Sequence, residues 1–424
     1  MVRDLQHTVH PLDAAAVLRL FPGRPQILAL GEPTHGAGAL LRLRNELFRQ
    51  LVEQEGYRTI ALETDCLAGQ VVDDYIVAGE GDLDDAQRDD TQPDEIGPDG
   101  AVLDDIMARG FSHEWGSFPA NRELVRWMRA WNERARAEGR PDADRLRFAG
   151  FDGPLEIQAA ASPRAALTAL YEYLSARVDA ELLPCTADVL DRMIGADARW
   201  TEPAAMMDPA RSVGQSAEAR ELRLLADDLA ALLDSHAPQL IATSAVQEWD
   251  RARLYGRTAT GLLRYHFWMA DPSPARMTRL LAVRDAMMAD NLLALAERGP
   301  VLVNAHNSHL QRGLSTMRMW DHPRLEWWGA GALVSARLGE RYGFLASAVG
   351  TIRHHGVDDA PSDSVEGVLS ALGADRSVVD APALSALLEG SVARVSPWFG
   401  YAPLDPAQLA DLDGVVFLQD VPED

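Results

Sequence analysis

One arginine constrains what this chain can fold into more than any other residue. The segment Gln26 to Asp65 reads QILALGEPTHGAGALLRLRNELFRQLVEQEGYRTIALETD. Ile27-Leu28-Ala29-Leu30 is a short apolar run closed by Gly31, the pattern of a buried strand ending at a tight turn that carries Glu32 and His35. From Ala39 the period becomes helical, with Leu40, Leu43, Leu47, Phe48 and Leu51 on one face and Asn45, Glu46, Arg49 and Glu53 on the other. Arg44 falls inside the apolar stripe and must point inward. A desolvated guanidinium is costly unless a carboxylate and further hydrogen bonds meet it. Two acids are on offer: Glu32, and Glu63 at the end of a second apolar run, Thr59-Ile60-Ala61-Leu62. A strand-helix-strand unit would make the two strands parallel neighbours, with both glutamates at carboxyl ends, where open α/β sheets place ligands. Glu32, His35, Arg44 and Glu63 are therefore expected to converge. The plainer alternative is a structural Arg-Glu pair beside a turn histidine.

The rest of the chain supplies the sheet and its cover. A helix is expected over Asn121 to Ala137, then a third strand, Leu146 to Phe151, ending at Asp152, which either reaches the site or caps a turn. Ahead of both, the acid-rich stretch Glu80 to Asp105 reads as a solvated loop. Residues 160–298 are helical in pattern and read as a lobe inserted into a single domain spanning 1–424. The last helix of that lobe carries Arg284, Met287, Met288 and Asn291 on one face, and a buried Arg and Asn call for polar partners. Val301-Leu302-Val303 is the next strand and leads into Asn304-Ala305-His306-Asn307-Ser308-His309. One or two strands follow within Gly331 to Gly350, and a last one over Gly414 to Leu418. The expected fold is α/β: a central, largely parallel sheet flanked by helices, with a large helical lobe covering the cleft.

His306 and His309 follow a strand as His35 does, and a separation of three puts both rings on one side if a helical turn starts there. Three histidines and two glutamates at the carboxyl ends of strands make a candidate active site. The chain holds no G-x-S-x-G elbow, H-E-x-x-H, P-loop or G-x-G-x-x-G. Water is then the expected nucleophile, with His35 as general base oriented by Glu32 or Glu63. Arg44 would balance the acids and stabilise a developing oxyanion, with His306 or His309 as further donors, and the two could exchange roles with His35.

A rival reading is metal-assisted hydrolysis, since His35, His306 and His309 with a glutamate also form a ligand set for zinc or manganese. Arginine in their midst weighs against it, so no cofactor is expected. A biosynthetic enzyme using the same site for cyclisation or group transfer, or a binding protein, are readings from other classes. The net charge of −24 disfavours nucleic acid and anionic membranes as partners and leaves a neutral or cationic small molecule. Two cysteines suit a reducing compartment, and the sequence shows neither an export signal nor a membrane span, so a cytoplasmic location is expected.

The set Gly31-Glu32-Pro33-Thr34-His35-Gly36, Arg44, Ala61-Leu62-Glu63, Gly150-Phe151-Asp152, Arg284-Asp285 with Met288 and Asn291, and Ala305-His306-Asn307-Ser308-His309 resembles the erythromycin esterase family. That family includes macrolide esterases and succinoglycan-biosynthesis-like proteins. The resemblance runs to Asp413-Gly414-Val415-Val416-Phe417, nearly the whole chain. It implies hydrolysis of an ester or lactone by water, with His35, Glu32, Arg44, Glu63, His306 and His309 forming the catalytic set. Asp152, Arg284 and Asn307, with Trp115 as part of an apolar wall, are the candidates for substrate contact. Pro33 stands where alanine is common in the family, and Asn304 where tryptophan is frequent.

Overall fold

The computed structural model describes residues 8–78, 98–156, 159–317, 324–388 and 390–423. Eight strands form the central sheet: β1 (Val9–His10), β2 (Ile27–Glu32), β3 (Thr59–Asp65), β4 (Arg147–Asp152), β5 (Val301–His306), β6 (Tyr342–Thr351), β7 (Arg376–Asp380) and β8 (Gly414–Asp420). Their spatial order is β1-β7-β8-β6-β2-β5-β3-β4. The six strands from β8 to β4 run parallel, and β7 and β1 close the other edge antiparallel. The fold is α/β, as expected.

The expected adjacency of β2 and β3 does not hold. β5 lies between them, pairing Glu32 with His306 on one side and Leu62 with Asn304 on the other. The crossover helix Gly38–Glu55 skips one position, and the late strand fills the gap. This correction strengthens the site, because it delivers His306 between the two glutamates. Beyond Leu62 the register of β3 against β4 shifts, and Glu63 sits in that irregularity. Bulges of this kind re-aim side chains at sheet ends.

Alternation along β2 explains the layering. Ile27 and Ala29 join the core on one face, while Leu28 and Leu30 join that beneath the Gly38–Glu55 helix, with Leu43, Leu47 and Leu51. Each such leucine or isoleucine contributes about 1.5–3 kcal/mol by leaving water. A third core belongs to the helical stretch after β4, where Leu167, Leu170, Leu222, Leu229 and Leu263 pack together. The final helix there, Arg276–Ala296, lays Met288, Ala289 and Leu292 on the sheet core, so it is a layer of the sheet as well as a wall of the lobe.

Two local expectations are corrected. The described end of the acidic stretch is helical, Pro98–Arg109, because Leu103, Ile106 and Met107 bury one face beneath the acids; Glu80 to Gln92 and on to residue 97 lies outside the described residues. The first half of Gly331 to Gly350 is the helix Ala330–Leu338, and only Tyr342–Thr351 is a strand. Small apolar residues such as Ala332 and Val334 bury as readily in a short helix as in a strand. Among the described residues no helix is long and apolar enough to cross a membrane.

Candidate active site

Glu32 closes β2 and is buried, and its Oε1 lies 2.8 Å from Nδ1 of His35. Glycines flank the pair: Gly31, where a Cβ would stand 2.2 Å from Asn307 Oδ1, and Gly36, whose φ is +74°. His35 keeps 40% of its side chain exposed. Its ring centroid lies 5.3 Å from that of His306 and 5.0 Å from that of Trp115. With Nδ1 on the carboxylate, Nε2 is left to face the opening. Burial alone would lower its pKa, but Glu63 and Glu32 outweigh it and raise it above the ordinary histidine value.

Glu63 is the hub. Its Oε2 accepts the backbone N–H of His306 at 2.8 Å, and its Oε1 meets Arg284 Nη2 at 3.1 Å and His309 Nε2 at 3.3 Å. Burial would raise its pKa, but His309, His35 and Arg284 together hold it far below the usual carboxylate range. His309, on the helical turn Asn307–Leu310, has its other nitrogen 2.9 Å from Asp285 Oδ1. Against the effect of burial, Asp285 and Glu63 push its pKa up to about 9. With a carboxylate on each nitrogen, this ring is an imidazolium at neutral pH.

His306 is its opposite. Burial, with repulsion from His35, takes its pKa down to about 3. Its Nδ1 receives the backbone N–H of Ser308 at 3.2 Å, so the proton of the neutral ring sits on Nε2. The three histidines therefore differ in charge and in role. His35 holds a proton more firmly than an ordinary histidine, His306 is neutral, and His309 is a cation at neutral pH.

Arg44 is interior, as its spacing demands, but the expected acid partner is replaced. Its hydrogen bonds go to Asn45 Oδ1 (3.1 and 2.8 Å), Asn121 Oδ1 (2.8 Å) and Asn304 Oδ1 (3.3 Å). Glu32 acts on it through space, and burial takes its pKa down to about 10. Amide oxygens give the guanidinium hydrogen bonds without a second buried charge. Glu63 instead serves Arg284, which is also doubly bonded to Asp152, with Nε 3.1 Å from Oδ1 and Nη2 2.6 Å from Oδ2. Among the described residues Nη1 of Arg284 makes no hydrogen bond.

The structure thus brings together Glu32, His35, Glu63, His306, His309, Asp152, Arg284 and Trp115, with Arg44 one layer deeper. Asn307 turns away. Its amide pairs with the backbone of Ser347 at 3.0 and 3.2 Å, bridging toward β6, which makes it a scaffold residue in place of the expected substrate contact. Asp152 is fully buried beneath Arg284 and is likewise held from substrate.

Sequence reasoning missed several residues. Asp285 binds His309, the indole N–H of Trp327 at 2.8 Å and the N-terminal N–H of the Ala330–Leu338 helix at 2.8 Å. It stood in the set that carries the family resemblance but was given no role there. Asn45 was assigned to the polar face, yet it is buried, with Nδ2 donating to Ala120 O at 2.8 Å. Asn121 passes from Arg44 to the carbonyl of Trp115 at 3.0 Å. Nothing in the spacing of one helix reveals an asparagine needed by another. Among the described residues no group of three or more His, Cys, Asp or Glu side chains is arranged to hold a metal ion.

Comparison with known proteins follows the same lines. A family model for erythromycin esterase matches residues 52–421. No curated protein sequence matches the chain. Three solved structures share its fold. One is a Bacillus cereus protein, 18% identical with a TM-score of 0.67, covering 99% of this chain and 97% of that one. A succinoglycan biosynthesis protein is 14% identical with a TM-score of 0.67, covering 99% and 96%. A mutant of the erythromycin esterase EreC, in its open conformation, is 17% identical with a TM-score of 0.62, covering 94% and 92%.

Proposed function

The chain belongs to the erythromycin esterase family, and from that premise we propose that it is a carboxylic ester hydrolase that opens an ester or lactone of a neutral or cationic small molecule with activated water. The observation that carries this reading is the His35–Glu32 pair at 2.8 Å, in which the ring is the most accessible of the three histidines.

Glu32 fixes the His35 ring with Nδ1–H toward the carboxylate, so Nε2 offers its lone pair to a water molecule in the opening. Proton transfer to a base so placed contributes about 10²–10⁴-fold in rate. As water adds to the acyl carbon, charge builds on the carbonyl oxygen. Nη1 of Arg284 is the donor proposed to receive it, since the His306 ring already hydrogen-bonds the Pro33 carbonyl. The protonated His35 then returns its proton to the leaving alkoxide. His309 does no proton transfer. Its cation, clamped by Glu63 and Asp285, keeps the buried carboxylates balanced and holds Glu63 against the His306 backbone.

No resident metal is part of this scheme. What supports this is the donor chemistry: both nitrogens of His309 and both oxygens of Glu63 are already engaged by protein groups. The test offers the purified protein a panel of macrolactones and simple esters and follows products by mass spectrometry. Addition of one water, lost in His35→Asn, is expected. A ring-closed or transferred product, with no acid released, would replace hydrolysis by the biosynthetic reading.

A further inference from the structure

Along the outer edge of β4, away from the histidine cluster, runs a cavity of about 220 Å³. Its walls come from β4, the helix Ala68–Val77 and the lobe helices Val246–Met269 and Arg276–Ala296. The chain as a whole carries 64 acids against 40 bases, yet six arginines and only three aspartates line this space. The local sign is reversed.

Five of those arginines have acids: Arg147 with Asp73, Arg251 with Asp74, Arg145 with Asp142 at 2.7 Å, Arg298 with Asp250 at 2.8 Å, and Arg58 with Asp144 at 3.6 Å. Arg257 has none among the described residues. Among the described residues its guanidinium makes one hydrogen bond, from Nε to Asn291 Oδ1 at 3.2 Å, which leaves both Nη groups without an acceptor there. Burial, reinforced by the nearby Arg253, takes its pKa down to about 10; Asp290 acts favourably on it but is itself paired with Arg337 at 3.4 Å. Arg257 is half-buried, and its guanidinium lines the cavity without an acid to pair with. Its planar pair of Nη donors matches the two oxygens of a carboxylate or phosphate.

We propose that the β4-edge cavity is a binding site for a small oxyanion, a carboxylate or phosphate group gripped by the Nη groups of Arg257. Asn291 sets the grip. Its Nδ2 donates to Phe151 O at 3.1 Å, which fixes its amide so that Oδ1 meets Nε and holds the guanidinium in place. Phe151 is followed by Asp152, the partner of Arg284, so the proposed site is wired to the back of the histidine cluster. This inference stands apart from the hydrolytic reading and does not require it.

Thermal unfolding is measured with increasing inorganic phosphate, and separately acetate, at constant ionic strength set by sodium chloride. The wild type is expected to gain a few degrees with at least one of the two, and which one responds distinguishes phosphate from carboxylate chemistry. Arg257→Gln should show no gain and, in chloride alone, melt no lower than wild type, since an uncompensated cation has been removed. Arg253→Gln, a neighbouring cation paired with Glu297, should respond as wild type does. Equal gains in wild type and Arg257→Gln, or no gain with either anion, would overturn the proposal. If Arg257→Gln does not fold, calorimetric titration of phosphate and acetate into wild type and Arg257→Lys decides: binding at least tenfold weaker in the lysine variant, which keeps the charge and loses the fork, supports the site, and equal or absent binding overturns it.

Discussion

Between pH 6.5 and 9 the protein should lose stability that a His309→Gln variant does not have to lose. His309 holds its proton up to about pH 9 in the fold, against an ordinary value of 6.5. Folded chains therefore carry a proton that unfolded chains release across this window. The stabilisation is complete below the unfolded value and disappears as pH rises through the folded one. The interval corresponds to about 3 kcal/mol, and with only 9% of the side chain exposed, solvent screening removes little of it. Other groups titrate over the same range, so the quantity of interest is a difference of differences. Urea unfolding of wild type and variant at pH 6.5 and pH 9 supplies it. Wild type should fall by about 3 kcal/mol more than His309→Gln, although the variant starts less stable because two buried carboxylates have lost their shared cation. Equal pH slopes for the two proteins would refute the imidazolium assignment. A titration of nitrogen-labelled histidines by NMR reads the same proton directly and should show one ring still protonated at pH 8.

Replacing His35 with Asn should lower kcat by about 10²–10⁴-fold with an unchanged melting temperature; a comparable loss of folded protein would show that the ring is structural. The rate should rise with pH through a limb above the ordinary histidine value, because the base must be deprotonated and its pKa is raised. In Glu32→Gln the limb should move to lower pH as one source of that rise is removed, and an unmoved limb would assign it to another group. Asn121→Ala should cost about 1.5–3 kcal/mol, the worth of a hydrogen bond to a buried charge, seen as a drop in the urea midpoint. Dialysis against a chelator should leave turnover unchanged, while loss restored by zinc or manganese would revive the metal reading.

The residues that carry a visible anomaly were legible in the sequence. Arg44 in an apolar stripe, glutamates closing two strands and histidines at two strand ends all lie where one-dimensional periodicity points. The partners were not legible. Arg44 was matched with an acid because charge demands balance, yet three asparagines from two helices and a strand answer its geometry, and Glu63 goes to an arginine more than two hundred residues away. Strand order was equally hidden. Nothing in the chain between β2 and β3 says that a strand from residue 301 will enter between them. Asn307 shows the converse error, where membership of a motif suggested substrate contact and the backbone of Ser347 took the side chain.

That inserted strand also explains how one site can hold three imidazoles in three states. Because β5 separates Glu32 from Glu63, each carboxylate commands a different ring: Glu32 takes His35 from the open side, and Glu63 takes His309 from below. His306 lies between them with its backbone, not its ring, on Glu63, so it feels burial without a hydrogen-bonded acid and stays neutral. Four carboxyl groups, Glu32, Glu63, Asp152 and Asp285, face three groups that are cationic at neutral pH, Arg44, Arg284 and His309. The layer is short of one positive charge, and the accessible ring of His35 is the group placed to supply it on accepting a proton. The arrangement thus favours the imidazolium that a water-activating base must become, and it does so with charges fixed before substrate arrives.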